Sequence, residues 1–172
     1  ADTANAAGDA SLTGELVLTS LHANDSLGAV SRLMSMEVEK YLLADSLALS
    51  QAQRLVRRLC GYCKKPTPAP NQLQEHMAKQ GVITQPLTQP IYEAQGCEEC
   101  HGTGYSGRVA LMELCEMTTE LRDLIEEGAP MSAMRAAAFK NGFMSLYQEG
   151  LGQVIAGSTT MAEISCLSYT AV

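Results

Sequence analysis

Two Cys-x-x-Cys knuckles, Cys60-Gly61-Tyr62-Cys63 and Cys97-Glu98-Glu99-Cys100, are separated by 33 residues, and few folds accommodate such a pair. Each knuckle can place two thiolates on one metal ion, and two knuckles complete a tetrahedral four-sulfur shell. Four soft anionic ligands with no open position suit a structural Zn²⁺ and leave no room for a catalytic water. The segment between them carries Pro66, Pro68, Pro70, Pro86 and Pro90, five of the six prolines of the chain. It is therefore expected to be loop-rich, with one short helix near Leu73–Lys79. Such a stretch buries little apolar surface, so metal binding is expected to supply much of its folding free energy. Two disulfides or free thiols are the alternative, but nothing in the chain points to an oxidising compartment. His101 is a conceivable substitute ligand, although a surface histidine beside a complete four-cysteine set is the simpler reading.

The length, 172 residues, admits one ordinary domain or two small ones. Apolar residues make up 46% and charged residues 18%, and the net charge is −7. That charge disfavours nucleic acid as a general partner. No apolar run is long enough to span a bilayer and no secretory signal pattern is present, so no direct membrane insertion is expected. The chain opens at Ala1 inside a helical pattern, which is expected of a piece of something longer.

Thr3 to Thr13 is alanine-rich and stops at Gly14, as a helix does. Leu16-Val17-Leu18-Thr19-Ser20-Leu21 is a short apolar run with little alternation, the pattern of a strand buried on both faces of a parallel sheet. His22-Ala23-Asn24-Asp25 follows, with Asp25 the expected N-cap of a helix continuing to about Leu33. Parallel sheets bind ligands just past the carboxyl ends of their strands, so His22 is a candidate ligand-binding residue; a satisfied histidine capping the sheet edge is the alternative. A short helix fits Lys40–Ser46. Leu47–Leu59 reads as a strand or helix bearing Arg54, Arg57 and Arg58, a grouping that ordinarily marks a solvated face. No G-x-x-x-x-G-K-[ST] loop occurs, so the chain by itself cannot cradle a triphosphate.

After the second knuckle, Thr103-Gly104-Tyr105-Ser106-Gly107 is a turn leading into an apolar strand over Arg108–Met117. Thr118 or Thr119 can cap a helix over Glu120–Glu127 that ends at Gly128. Pro130 suits the first turn of the next helix, which stops at Asn141-Gly142. A third helix fits Ser145–Ala156, and Thr160-Met161-Ala162-Glu163 has the form of a capping box. Met131, Met134, Met144 and Met161 read as core filler, and Cys115 and Cys166 as buried free thiols.

Taken in order, these segments resemble the C-terminal part of a type II secretion or type IV pilus assembly ATPase. The stretch from Leu12 through His22 to Asp25 is similar to that family's helix, strand and histidine box. Gln53–Cys60 is similar to the end of its core. Gly96–Cys100, with Thr103–Arg108 and Glu113, resembles its second cysteine knuckle, and Gly150-Leu151, Gly157 and Thr159-Thr160 fit its closing helices.

The resemblance implies an α/β fold in three parts. Residues 1–59 would be the C-terminal part of a RecA-like (P-loop NTPase) parallel sheet, 60–107 a four-cysteine zinc-binding module, and 108–172 a strand plus a small helical subdomain. It implies a cytoplasmic homo-hexamer, peripheral at the inner membrane, in which hydrolysis of ATP with Mg²⁺ drives a membrane platform protein beside cytoplasmic-ring proteins. The phosphate loop and acidic metal-binding segment would lie upstream of Ala1, so this stretch would not hydrolyse ATP alone. His22 would sit near the terminal phosphate and Arg54 near the nucleotide side of the core. Cys60, Cys63, Cys97 and Cys100 would hold zinc, with Lys64, Lys65 and Arg108 partly offsetting its negative tetrathiolate charge. Retraction ATPases of the same superfamily generally lack the four cysteines. A non-enzymatic, zinc-stabilised docking module is the alternative reading. A redox protein is a weaker one, because neither knuckle follows a strand and opens a helix as a thioredoxin-type site does.

Overall fold

A computed structural model describes residues 2–170, with side chains for residues 3–167. The elements are α1 (Asp2–Leu12), α2 (Ser26–Ser35), α3 (Lys40–Ser46), β1 (Leu49–Leu59), β2 (Lys65–Thr67), α4 (Asn71–Lys79), β3 (Ile91–Glu93), β4 (Tyr105–Glu116), α5 (Thr119–Glu127), α6 (Met131–Lys140), α7 (Leu146–Ile155) and α8 (Met161–Ile164). The protein is mixed α/β. β1 pairs with β4, and β2 pairs with β3 in an antiparallel ladder that sets Lys65 opposite Glu93 and Thr67 opposite Ile91.

Local chemistry accounts for the starts of α2, α5 and α7 and for the end of α5. Asp25 is in extended backbone and its Oδ1 accepts from Gly28 N at 2.5 Å, which satisfies one free amide of the first turn of α2. Thr118 Oγ1 accepts from Leu121 N at the head of α5, and Gly128 closes that helix at φ +69°. Ser145 and Gln148 form a reciprocal capping box at the head of α7. Pro130 stands one position before α6, at φ −65°, outside the helix rather than in its first turn.

The chain divides into two compact units. The first comprises residues 1–52 and 113–144. Its core is built from Leu27 and Val30 of α2, Leu42 and Leu43 of α3, Leu121 and Ile125 of α5, and Met134 of α6. α3 packs on α1 and α5, and α2 on α6. The second unit comprises residues 53–112 and 145–172. Met77, Leu111, Leu146, Leu151, Val154 and Ile164 are buried in it. A Cβ at Gly150 would come within 2.9 Å of Ile164, so glycine is what lets α7 and α8 approach so closely. The helices after β4 are thus shared, α5 and α6 in the first unit, α7 and α8 in the second.

Three expectations need correction. Leu16–Leu21 forms no strand, and Leu16 and Leu18 are 89% and 87% exposed. A strand of a parallel sheet is held by flanking strands and covering helices, and the described residues place neither beside this run. The parallel sheet is accordingly absent from the two-stranded sheets they form. Thr160 and Glu163 do not close a capping box. Glu163 accepts instead from Arg57 N, Nε and Nη2, and Thr160 Oγ1 meets the Tyr105 hydroxyl at 3.0 Å. The Arg57 guanidinium takes one oxygen of the carboxylate and the Arg57 amide the other. Finally, Met134 is core but Met144 is exposed, and Cys115 is buried while Cys166 is not.

Arg54, Arg57 and Arg58 are exposed, as a solvated face requires, and Arg57 and Arg58 make contacts on it. Besides its Glu163 pair, the Arg57 guanidinium lies 4.2 Å from the Tyr105 ring centroid, and Arg58 Nε donates to Ser106 O. Among the described residues no helix is long and apolar enough to cross a membrane.

Candidate functional site

Cys60 follows the last residue of β1 directly. Hydrogen bonds from Leu59 N to Ser158 O (2.8 Å) and from Cys60 N to Gly104 O (2.9 Å) fix the chain there. The first knuckle then turns back, with Lys64 N donating to Cys60 O. Cys97 caps a single 3-10 turn, Glu98–Cys100, in which Cys97 N donates to Cys100 Sγ at 3.2 Å.

These two turns bring all four thiol sulfurs within 4.8 Å of one another. Cys60 and Cys97 lie 3.9 Å apart, Cys63 and Cys100 3.8 Å, and Cys97 and Cys100 3.7 Å. A tetrahedral zinc with bonds of about 2.3 Å separates its sulfurs by about 3.8 Å. Disulfide sulfurs would stand at about 2.05 Å, and all four cysteines are free. The group could therefore hold a metal ion, and its donors and spacing fit tetrahedral zinc.

The surrounding backbone is arranged for thiolates. Gly96 N donates to Cys63 Sγ at 3.3 Å, and Gly104 N to Cys100 Sγ at 3.1 Å. Burial pushes the Cys100 thiol up, but the amides of Cys97 and Gly104 and the neighbouring thiols together outweigh it and bring it down to about 6. Burial also pushes Cys63 up. Its single amide donor, Gly96, offsets this only in part, and the thiols around it carry it to about 11.

Glycine is required twice here. Gly96 sits at φ +108°, where a Cβ would meet the Gly102 carbonyl oxygen at 2.6 Å. Gly104 sits at φ +76°, where a Cβ would come within 2.7 Å of the Ala94 Cβ. His101 is exposed at φ +52° and stands outside the four-cysteine group. Lys64 directs its ammonium to Gly157 O at 2.8 Å and over the Tyr92 ring.

The remaining sequence candidates are on the surface of their own units. His22 is exposed in the segment ahead of α2, and its ring makes no hydrogen bond to the described residues. Arg54 is exposed on β1, where Nη1 donates to Gln53 O at 3.2 Å.

The structure also reveals a polar cluster at the head of α2 that sequence reasoning passed over. Glu113, 2% exposed, accepts from both Ser26 N (2.8 Å) and Ser26 Oγ (2.6 Å) through one oxygen. Ser50 Oγ donates to Ser26 O at 2.8 Å, and Arg135 pairs with Asp25 at 3.3 Å. The available signal was a charged residue in the inward register of β4, where Leu111, Glu113 and Cys115 alternate with exposed neighbours.

Fold and centre together define a mixed α/β protein with a candidate structural metal site built from paired cysteine knuckles. Residues 1–166 match the family model for Type II/IV secretion system proteins, and the chain belongs to that family. It is 41% identical over 164 residues to the type IV pilus assembly ATPase PilB of Myxococcus xanthus, covering 95% of this chain and 29% of that protein. It is 40% identical over 163 residues to the type II secretion system protein HxcR of Pseudomonas aeruginosa (95% and 30%). The type II secretion system protein E of Pectobacterium carotovorum is 40% identical over 164 residues (95% and 31%). The chain thus spans about a third or less of each of these relatives.

Proposed function

We propose that this chain is the C-terminal portion of a hexameric, cytoplasmic ATPase that powers type II protein secretion or type IV pilus assembly at the inner membrane. What carries the reading is the family match over 1–166, on relatives named as secretion proteins and pilus assembly ATPases. In it, Leu16–Leu21 enters a RecA-like parallel sheet completed by other parts of the protein. The exposure of Leu16 and Leu18 supports this, since two bare leucines are costly in water. The phosphate loop and the Mg²⁺-binding carboxylates lie elsewhere in the protein, so the chain alone does not hydrolyse ATP.

Cys60, Cys63, Cys97 and Cys100 hold a structural zinc ion, which closes the two knuckles into one body and carries no reaction step. Lys64 does not neutralise the site by contact with sulfur; it braces Tyr92 and Gly157 nearby. The module formed around it is the surface we assign to the platform or cytoplasmic-ring proteins. His22, whose ring is unspent on the described residues, hydrogen-bonds the terminal phosphate and reports its loss, a positioning and electrostatic role. Arg54, exposed on β1, is the second residue assigned to the nucleotide side.

The test is steady-state ATP hydrolysis by the full-length protein. His22→Ala is expected to lower kcat by about tenfold or more with KM changed less than about threefold. An unchanged kcat returns His22 to a structural role. Elemental analysis of the purified chain is expected to give one zinc per chain, and a metal-free protein with four titratable thiols would remove the zinc assignment.

A further inference from the structure

We infer that Glu113 is a positioning residue for the His22 segment, acting through Ser26; this rests on the reading of His22 given above.

Glu113 occupies an inward register of β4, between Leu111 and Cys115, both of which are buried. An apolar side chain would fill such a position at far lower cost than a carboxylate, which must be stripped of water. The carboxylate does something here that a hydrophobe could not. Its Oε1 takes both the backbone N–H and the hydroxyl of Ser26, the first residue of α2. Negative charge there is also favoured by the unsatisfied amides of the first helical turn.

The rest of the cluster acts on the same two residues. Ser50 Oγ donates to Ser26 O, so donor, hydroxyl and carbonyl of Ser26 are all held, and Ser26 is fully buried. Asp25, one residue earlier, is fixed by Gly28 N on one oxygen and Arg135 on the other. Residues 15–23, by contrast, have no regular structure, and His22 is exposed. His22, exposed and outside regular structure, thus lies three and four residues ahead of Asp25 and Ser26, both of which are held by side chains distant in sequence. A residue that must meet a phosphate within a few tenths of an ångström needs such a support. Glu113 supplies it from a strand 87 residues away in sequence.

The experiment uses two substitutions in the full-length protein, Glu113→Gln and Glu113→Leu, with and without His22→Ala. Glutamine keeps an oxygen that can accept from Ser26, whereas leucine keeps only the volume. Expected are a kcat lowered about tenfold or more in Glu113→Leu and less in Glu113→Gln, with KM within about threefold in both. Amide exchange over residues 22–28 of the chain is expected to quicken in the same order. In the His22→Ala background either substitution should cost less than about a further twofold, because both changes disable one unit. If Glu113→Leu does not fold, Glu113→Gln carries the test alone. A full kcat in Glu113→Gln and Glu113→Leu, with exchange quickened, would show a contact that is structural and nothing more. Losses that multiply with His22→Ala would place the action of Glu113 elsewhere. No effect of His22→Ala by itself overturns the reading of His22, and exchange over 22–28 then still reports whether Glu113 holds the segment.

Discussion

His76 Nε2 and the Tyr147 hydroxyl lie 2.9 Å apart, with the two rings edge to face at 5.7 Å between centroids. This contact ties α4, in the proline-rich stretch between the knuckles, to the first turn of α7. Gln148 Nε2 reinforces it by donating to Gln80 O, the C-cap of α4. Tyr147 is buried, and burial raises its pKa above the ordinary tyrosine value. It therefore stays a neutral hydroxyl across the working pH range.

Tyr147→Phe is expected to lower stability by about 1 kcal/mol, the net worth of one hydrogen bond, with the edge-to-face packing retained. A urea midpoint equal to that of the parent would mean that water replaces the hydroxyl without cost.

Removing one cysteine should undo the metal centre while sparing the first unit. Cys97→Ser leaves three soft ligands, while the serine hydroxyl can still cap the Glu98–Cys100 turn, so the change acts on the metal shell. Structural zinc contributes on the order of 10 kcal/mol to such modules, so the second knuckle should lose amide-exchange protection. The core around Leu27, Leu121 and Met134 shares no residue with the centre and should keep its protection. Zinc retained at one per chain in this variant would exclude Cys97 as a ligand.

Gly96→Ala tests whether the loop backbone is part of the centre. The new Cβ would collide with the Gly102 carbonyl at a left-handed φ, displacing the amide that donates to Cys63 Sγ. A loss of about 10-fold or more in zinc affinity is expected, the usual effect of disturbing groups that orient metal ligands. Chelator competition at fixed pH measures it, and unaltered affinity would mean that the loop relaxes freely.

Glu163 makes the second unit acid-sensitive. Its carboxyl is held below the usual glutamate range, first by the hydrogen bond from the Arg57 guanidinium, with burial opposing and the Arg57 amide assisting. A depressed folded-state value contributes stability that is complete above the ordinary value of about 4.3. That contribution is lost as pH falls from there through the folded value. Glu163→Gln should therefore be less stable than the parent at pH 7, and the gap should close below about pH 4. Parallel stability curves across that range would show that the pair makes no net contribution.

Much of the secondary structure and the four-cysteine cluster were legible in the sequence. The caps Asp25 and Thr118 and the stop at Gly128 involve partners within four residues, so composition and spacing suffice to place them. The four sulfurs were legible for a related reason. A Cys-x-x-Cys pair is close by chain geometry alone, and two such pairs have few uses other than one shared site. Leu16–Leu21 takes no strand among the described residues, because strand formation depends on neighbours that the run itself does not encode.

Sequence by itself thus determined the local vocabulary of this protein: helix ends, obligatory glycines and the ligand set of a candidate metal site. Tertiary structure decided which polar groups meet across long stretches of chain. Glu163 looked like a helix cap and became the partner of Arg57, 106 residues away. Glu113, which the sequence placed only within a family resemblance, became the buried acceptor for Ser26. A local partner is set by a few dihedral angles, whereas a distant one is chosen by the packing of the whole core. Burial then makes the choice costly to reverse, because a stripped carboxylate must keep the donors it has found.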